Sequence, residues 1–136
     1  MDFMKTMAIA ASGLRAQASR MRVISQNIAN ADSTATKPGG DPYRRKMVTF
    51  KSEFDRQLGV NEVSVGRIVT DKSDFRLKYE PGNPAADSKG EVKYPNVNAL
   101  VELTDMREAQ RSYEANINLI TATRRMLQRT IDILKT

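Results

Sequence analysis

Apolar residues recur every three or four positions along both ends of this chain. A stripe that repeats about every 3.5 residues is typical of a helix that buries a narrow face against another helix. We call these two stripes the seams. The N-terminal seam contains Met7, Leu14, Met21 and Ile28. The C-terminal seam contains Ile117, Ile120, Arg124, Leu127, Ile131 and Leu134.

The seams predict two long terminal helices. The first is expected to run from Phe3 to Ala29 or Ala31, and the second from Asn96 or Asn98, either of which can cap a helix, to about Leu134. Each helix carries a second apolar row beside its seam. Because that face is wider than a two-stranded contact needs, we expect each helix to have more than one neighbour.

The pattern changes between the helices. Pro and Gly residues interrupt regular structure in segment 32–42, and the near-alternating segments 47–50, 63–70 and 75–79 predict short strands. The turn residues 71–74 predict a hairpin between the last two strands. The predicted fold is mainly α, with the terminal helices packed as a coiled-coil-like pair around a small β-rich insertion. The predicted domain limits are 1–31 for the N-terminal helix, 32–42 for a linker, 43–95 for the insertion and 96–136 for the C-terminal helix.

The amino-acid composition excludes the side chains that most often carry out catalysis. The chain has no Cys and no His, so it lacks thiolate nucleophiles, the commonest zinc ligand and the usual general base. Glu102, Asp105 and Glu108 are interpreted as solvated carboxylates that form ion pairs with Arg111 or with basic residues of a neighbouring helix, because nothing else in the sequence builds a cleft around them. We therefore expect no enzyme activity, no cofactor, no metal site and no small-molecule substrate.

A net charge of +6 permits binding to nucleic acid or to an anionic membrane. The bases are scattered, and the triplet Arg44-Arg45-Lys46 is interpreted as a solvated or intersubunit charge cluster. Arg124 lies within a seam, so it should meet a carboxylate or helix-end carbonyls of another element or subunit, or else extend its charged head into water. No signal-peptide pattern is visible at the N-terminus.

Two short motifs carry a resemblance. Asn27-Ile28-Ala29-Asn30 ends the first predicted helix, and 110–116 of the second reads Gln-Arg-Ser-Tyr-Glu-Ala-Asn. Together they resemble the paired terminal signatures of bacterial flagellar rod and hook proteins, and segments 38–45 and 81–98 are similar to those of a short rod member. The resemblance implies a subunit-interface role for the motif residues Asn27, Ile28, Ala29, Asn30, Gln110, Arg111, Tyr113, Glu114 and Asn116.

The resemblance further implies a subunit of the proximal rod of the flagellar basal body. Such a subunit is exported by the flagellar type III system without signal cleavage. It polymerises through its terminal helices into a tube that crosses the periplasm, transmits torque and forms the wall of the export channel. The implied partners are other copies, the companion rod proteins FlgB and FlgF, the ring adaptor FliE, the distal rod protein FlgG and the export apparatus, but no nucleic acid.

One alternative remains open from the residues alone. A self-contained helical hairpin could act as an adaptor that binds a protein, an anionic membrane or nucleic acid through its basic face. The two interpretations differ in their response to salt. Charge-driven binding weakens steeply as salt rises, whereas apolar packing along a seam largely survives.

Overall fold

A computed structural model describes residues 2–135 of the chain, so the predicted domain limits at 1 and 136 lie outside the described residues. Two helices flank four strands, and the predicted order of helix, β-rich middle and helix is confirmed. The elements are α1 (Phe3–Ala29), β1 (Lys46–Asp55), β2 (Val60–Thr70), β3 (Arg76–Tyr79), β4 (Glu91–Tyr94) and α2 (Ala99–Leu134).

Side-chain caps define where both helices begin. The Asp2 Oδ1 atom accepts hydrogen bonds from the Met4 and Lys5 amides at 3.0 and 3.3 Å, so α1 begins at Phe3. The Asn98 Oδ1 atom accepts hydrogen bonds from the amides of Leu100 and Val101, which makes Asn98 the cap of α2. Neither helix, over residues 2–135, contains a stretch long and apolar enough to cross a membrane.

The strands pair differently from the prediction. β1 pairs with β2, and β3 pairs antiparallel with β4 in the register Arg76↔Tyr94 to Tyr79↔Glu91. The predicted hairpin between 63–70 and 75–79 is therefore wrong.

Local turn chemistry explains the observed β1–β2 hairpin. Asp55 Oδ1 accepts the Gln57 and Leu58 amides at 2.7 and 3.1 Å, and Gly59 has a φ of 65°, which a glycine adopts without steric cost. The residues predicted to form a turn are held elsewhere, because the amide of Asp71 donates to the carbonyl of Arg45 at 2.8 Å.

The chain divides into two compact units. The first unit contains the residues up to Met21, Val48–Arg67 and the residues from Arg107 onward. The second unit contains Arg22–Met47 and Ile68–Met106. Both helices and both long strands contribute residues to each unit. The buried residues of the first unit are Ala10, Ser12, Ala16, Ala109 and Thr123. Those of the second include Val23, Ile24, Asn27, Ala31, Ala85, Val92, Val97 and Glu102.

Candidate assembly surfaces

Small and polar residues form the contact between α1 and α2 in the first unit. Gly13 faces the side chain of Asn116 so closely that an added Cβ would lie 2.9 Å from the Asn116 Oδ1 atom. Seven residues further along α1, Arg20 pairs with Glu108 at 3.6 Å. The two contacts show that α1 and α2 run antiparallel here. A glycine at this point leaves room for the Asn116 side chain against the backbone of α1.

Large apolar side chains of α2 remain exposed. Leu100 and Leu134 are 74% and 80% exposed, and other exposed apolar residues of the helix are Val101, Leu103, Ile117, Leu119, Met126, Ile131 and Ile133. Isolated exposed apolar residues are normal on a protein surface, whereas a row of them along a helix marks an interaction surface. α2 thus presents many of its large apolar residues to the outside, whereas its fully buried residues are Glu102, Ala109 and Thr123.

The seam residues are either half-buried or exposed. The four N-terminal seam residues are half-buried, as are Ile120 and Leu127 of the C-terminal seam. Arg124 is exposed and forms no ion pair with any residue in the described part of the chain. We expected Arg124 either to meet a partner or to extend its charged head into water. An ion pair with another element of its own chain is absent over residues 2–135. A pair with another subunit stays a prediction.

The first motif is tied into the second unit through Asn27. This side chain is fully buried, and its Oδ1 atom accepts hydrogen bonds from the Tyr43 hydroxyl at 2.7 Å and the Lys46 amide at 3.0 Å. Its Nδ2 atom donates to the Lys46 carbonyl at 2.8 Å and to Glu102 at 3.2 Å. Asn27 therefore joins the end of α1 to the backbone of Lys46 and to the Glu102 carboxylate. Asn30 instead donates to the carbonyl of Gln26 in its own helix.

Glu102 and Arg45 form the centre of what we call the polar cluster, which also contains Asn27, Asp71 and Asp105. The Glu102 side chain is inaccessible to solvent, and its carboxylate accepts a short hydrogen bond from Arg45 Nε. Arg45 also lies 3.7 Å from Asp71 and 3.6 Å from Asp105. Burial alone lowers the pKa of Arg45, but the hydrogen bond and charge of Glu102, together with the two other carboxylates, raise that pKa above its usual value.

The polar cluster corrects two interpretations drawn from the sequence. Arg45 is committed to carboxylates of its own chain, and Arg44 lies 4.2 Å from the centre of the Phe75 ring, so the basic triplet is not simply a solvated or intersubunit patch. Glu102 is buried and bound to Arg45, not solvated. Glu108, in contrast, makes the ion pair with a neighbouring helix that we expected. Arg45 and Glu102 are 57 residues apart, so no local sequence signal marks them.

The second motif is mostly solvent-exposed. Gln110, Arg111 and Glu114 are exposed, whereas Tyr113 and Asn116 are half-buried. Asn116 donates a hydrogen bond from Nδ2 to the Ser112 carbonyl at 2.9 Å and faces Gly13 of α1. In the first motif, Ile28 and Asn30 are half-buried and Ala29 is exposed. Of the nine motif residues, Ala29, Gln110, Arg111 and Glu114 are therefore the ones most open to a neighbouring subunit.

An ordered loop connects β3 to β4. The Glu80 carboxylate accepts hydrogen bonds from Asn83 at 3.1 Å and from the Tyr94 hydroxyl at 2.9 Å, and it pairs with Lys78 at 2.8 Å. These contacts, that of Lys78 first, lower the pKa of Glu80 from 4.5 to about 2. At the end of the loop, Gly90 has a φ of 79° and lies against the Tyr79 ring, so a larger residue there would be strained and crowded.

Comparisons with known proteins give two family matches. Residues 7–35 match the family described as "Flagella basal body rod protein", and residues 88–133 match "Flagellar basal body rod FlgEFG protein C-terminal". The flagellar basal-body rod protein FlgC of Agrobacterium fabrum is 57% identical over 127 residues, which cover 93% of this chain and 91% of that protein. FlgC of Escherichia coli O6:H1 is 40% identical and covers 92% of both chains. FlgC of Bacillus subtilis is 40% identical and covers 93% of this chain and 95% of its own.

Proposed function

Because the chain belongs to the FlgC family of flagellar basal-body rod proteins, and is a structural subunit of that rod, we propose that it polymerises through the seams of its terminal helices. The observation that carries this proposal is the difference between the residues of α2 that the chain buries and those that it leaves exposed. Small residues such as Ala109 are buried within the chain, whereas large apolar residues such as Leu103 and Ile117 are exposed. Only contact with another subunit would remove those large side chains from water.

The exposed apolar area of α2 can supply free energy for association. Complete burial of one Leu or Ile side chain contributes about 1.5–3 kcal/mol relative to leaving it in water. A row of such side chains along one helix can therefore offset the entropy lost when subunits associate. We propose that the terminal helices pack as a coiled-coil-like pair in the assembled rod, and that the exposed residues of both motifs lie at subunit interfaces.

Membership of the rod family supports a more specific proposal about location, neighbours and export. We propose that the subunits form the proximal rod, a tube across the periplasm that transmits torque and lines the export channel. Its neighbours are other copies, FlgB, FlgF, FliE and FlgG, and the subunit is exported by the flagellar type III apparatus. Relatives are named as structural rod proteins, and the matching families are not enzyme families, so we propose no catalytic role.

A charge placed on the C-terminal seam tests polymerisation. We expect Ile120→Asp and Leu127→Asp each to abolish motility and to remove the subunit from purified basal bodies, because a carboxylate in an apolar interface is costly. Asn118→Asp introduces a carboxylate at an exposed position of the same helix and is the control, which should swim normally. Far-UV circular dichroism of the purified variants should show unchanged helix content. Normal swimming by both seam variants would overturn the seam proposal.

A further inference from the structure

A cleft of about 430 Å³ lies between α1 and the β1–β2 hairpin in the first unit. The helix contributes Arg15, Ala16 and Ser19 to its lining, and the hairpin contributes Glu53–Asp55 and Glu62–Val65. Three carboxylates line this space against a single cation, so we call it the acidic cleft. It is distinct from the seams and from the polar cluster.

The carboxylates of the acidic cleft are only partly neutralised. Glu62 lies 3.5 Å from Arg15, but the Arg15 side chain is 70% exposed, so water screens the pair. Glu53 lies 3.6 Å from Lys51, and both of these side chains are largely exposed. Asp55 is occupied by the amides of its own turn. The cleft therefore retains negative charge that an incoming cation can pair with.

Two further features suit a guanidinium group. The Ser64 hydroxyl is buried in the lining and has no hydrogen-bond partner among the described residues. The Phe54 ring, 59% exposed, lies at the same cleft. The guanidinium group of an arginine has several N–H donors and a flat face that stacks on aromatic rings. It can therefore donate hydrogen bonds to the Ser64 hydroxyl and to a carboxylate while it stacks on the Phe54 ring.

The complementary surface lies on α2. Arg124 and Arg125, together with Thr121 and Gln128, line a shallow depression of about 280 Å³. Both arginines are exposed, and neither forms an ion pair within residues 2–135. Arg129, also exposed, follows one turn later. This part of the helix presents positive charge that its own chain does not neutralise.

The same chain does not bring these surfaces together. Gly13 faces Asn116 and the helices are antiparallel, so Arg124 lies level with the first turns of α1, near Lys5. The acidic cleft begins at Arg15, roughly ten residues or about 15 Å further along the helix axis. Arg124 and its neighbour Arg125 can therefore reach an acidic cleft only on another molecule.

We propose that the acidic cleft of one subunit receives Arg125, with Arg124 beside it, from a neighbouring copy of this chain. The inference rests on the proposed polymerisation and adds a polar contact to it. The two surfaces have opposite charge, and both belong to every copy, so each subunit can donate arginines to one neighbour and accept them from another. Repetition of such a head-to-tail contact builds an open assembly and not a closed dimer.

Charge exchange tests the contact in cells that lack the native chain. We expect Glu53→Arg or Arg125→Glu alone to shrink swimming rings at least about fivefold, because like charges meet at the interface, and the double variant to recover to within about twofold. Asp74→Arg and Arg67→Glu reverse exposed charges outside both surfaces and should swim normally. Single reversals without effect, or a double variant no better than either single one, would overturn the proposal.

Cysteine cross-linking identifies the occupant, and the absence of native Cys makes the experiment clean. In purified basal bodies, oxidised chains carrying both Glu53→Cys and Arg125→Cys should form dimers and higher multiples, whereas either single cysteine should not. A conjugate with a different rod protein would show that a companion subunit fills the cleft, which contradicts the proposal. Basal bodies that contain the chain but give no multiples would overturn this contact alone. Absence of the unaltered chain from basal bodies would overturn the proposed function as well.

Discussion

The two compact units of the chain differ in the polar groups that they bury. The second unit encloses charged and amide side chains, with Glu102 and Asn27 fully buried and hydrogen-bonded to Arg45, Tyr43 and Lys46. The first unit buries alanines and hydroxyl residues at its helix contact and leaves large apolar side chains such as Ile117 and Leu134 exposed. The second unit thus buries a hydrogen-bonded carboxylate and amide beside its apolar residues, whereas the buried polar groups of the first unit are hydroxyls.

The comparison separates the residues that fold the chain from those that join it to others. A buried carboxylate is tolerated only with hydrogen-bonding partners, so the polar cluster specifies one arrangement of α1, β1 and the start of α2. Exposed apolar side chains contribute less to the stability of the isolated chain than buried ones do, because less of their surface leaves water. We infer that mutations in the polar cluster act mainly on monomer stability, whereas mutations of the exposed rows act mainly on assembly.

The largest effect on the isolated chain is expected for Glu102→Gln. Removal of the buried charge leaves Arg45 without its closest partner and should cost about 3 kcal/mol of unfolding free energy, at the low end for a broken buried ion pair. Glu108→Gln is the matched control on the same helix, because the Glu108 side chain is 66% exposed, and it should cost less than about 1 kcal/mol. Urea unfolding of the purified chain measures both. Equal losses would show that the cluster has no special role in the fold.

A smaller effect is expected where the helices approach in the first unit. Gly13→Leu inserts a side chain against Asn116, which typically costs about 1–3 kcal/mol, although leucine's better helix propensity returns up to about 1 kcal/mol. The net loss in urea unfolding should be about 1–2 kcal/mol, and Asn116→Ala in the same chain should recover part of it. Ala18→Leu, at an exposed position of α1, is the control. A Gly13→Leu chain more stable than the parent would contradict close packing at this point.

The smallest effect is expected on the unfolding free energy at low pH, and it involves Glu80 in the loop between β3 and β4. The folded-state pKa of Glu80 is about 2, below its ordinary 4.5, so its stabilising contribution is complete above about pH 4.5 and is lost as the pH falls towards 2. Glu80→Gln should therefore weaken the acid dependence of the unfolding free energy between pH 5 and pH 3 and leave the trend from pH 7 to pH 5 unchanged. An NMR titration that places this carboxyl near 4.5 would contradict the hydrogen-bonded loop.

Local sequence patterns predicted the positions of the helices more accurately than the pairing of the strands. The periodicity of the terminal segments predicted both helices, and Asn98 was one of two predicted caps for α2. Strand pairing was missed because 63–70 and 75–79 are adjacent in sequence and separated by turn residues. The pairing instead depends on Asp55 and Gly59 at one turn and on the hydrogen-bonded loop around Glu80 at the other.

By itself, the sequence determined the two terminal helices, the irregular linker and membership of the rod family, because each depends on local periodicity, turn residues or short motifs. Tertiary structure decided which row of each helix is buried within the chain. Apolar periodicity shows that a helix face leaves water but does not say whether the same chain or another copy covers it. It also decided that Arg45 reaches Glu102, since an ion pair between distant residues depends on how the backbone brings them together and leaves no periodic trace along the chain.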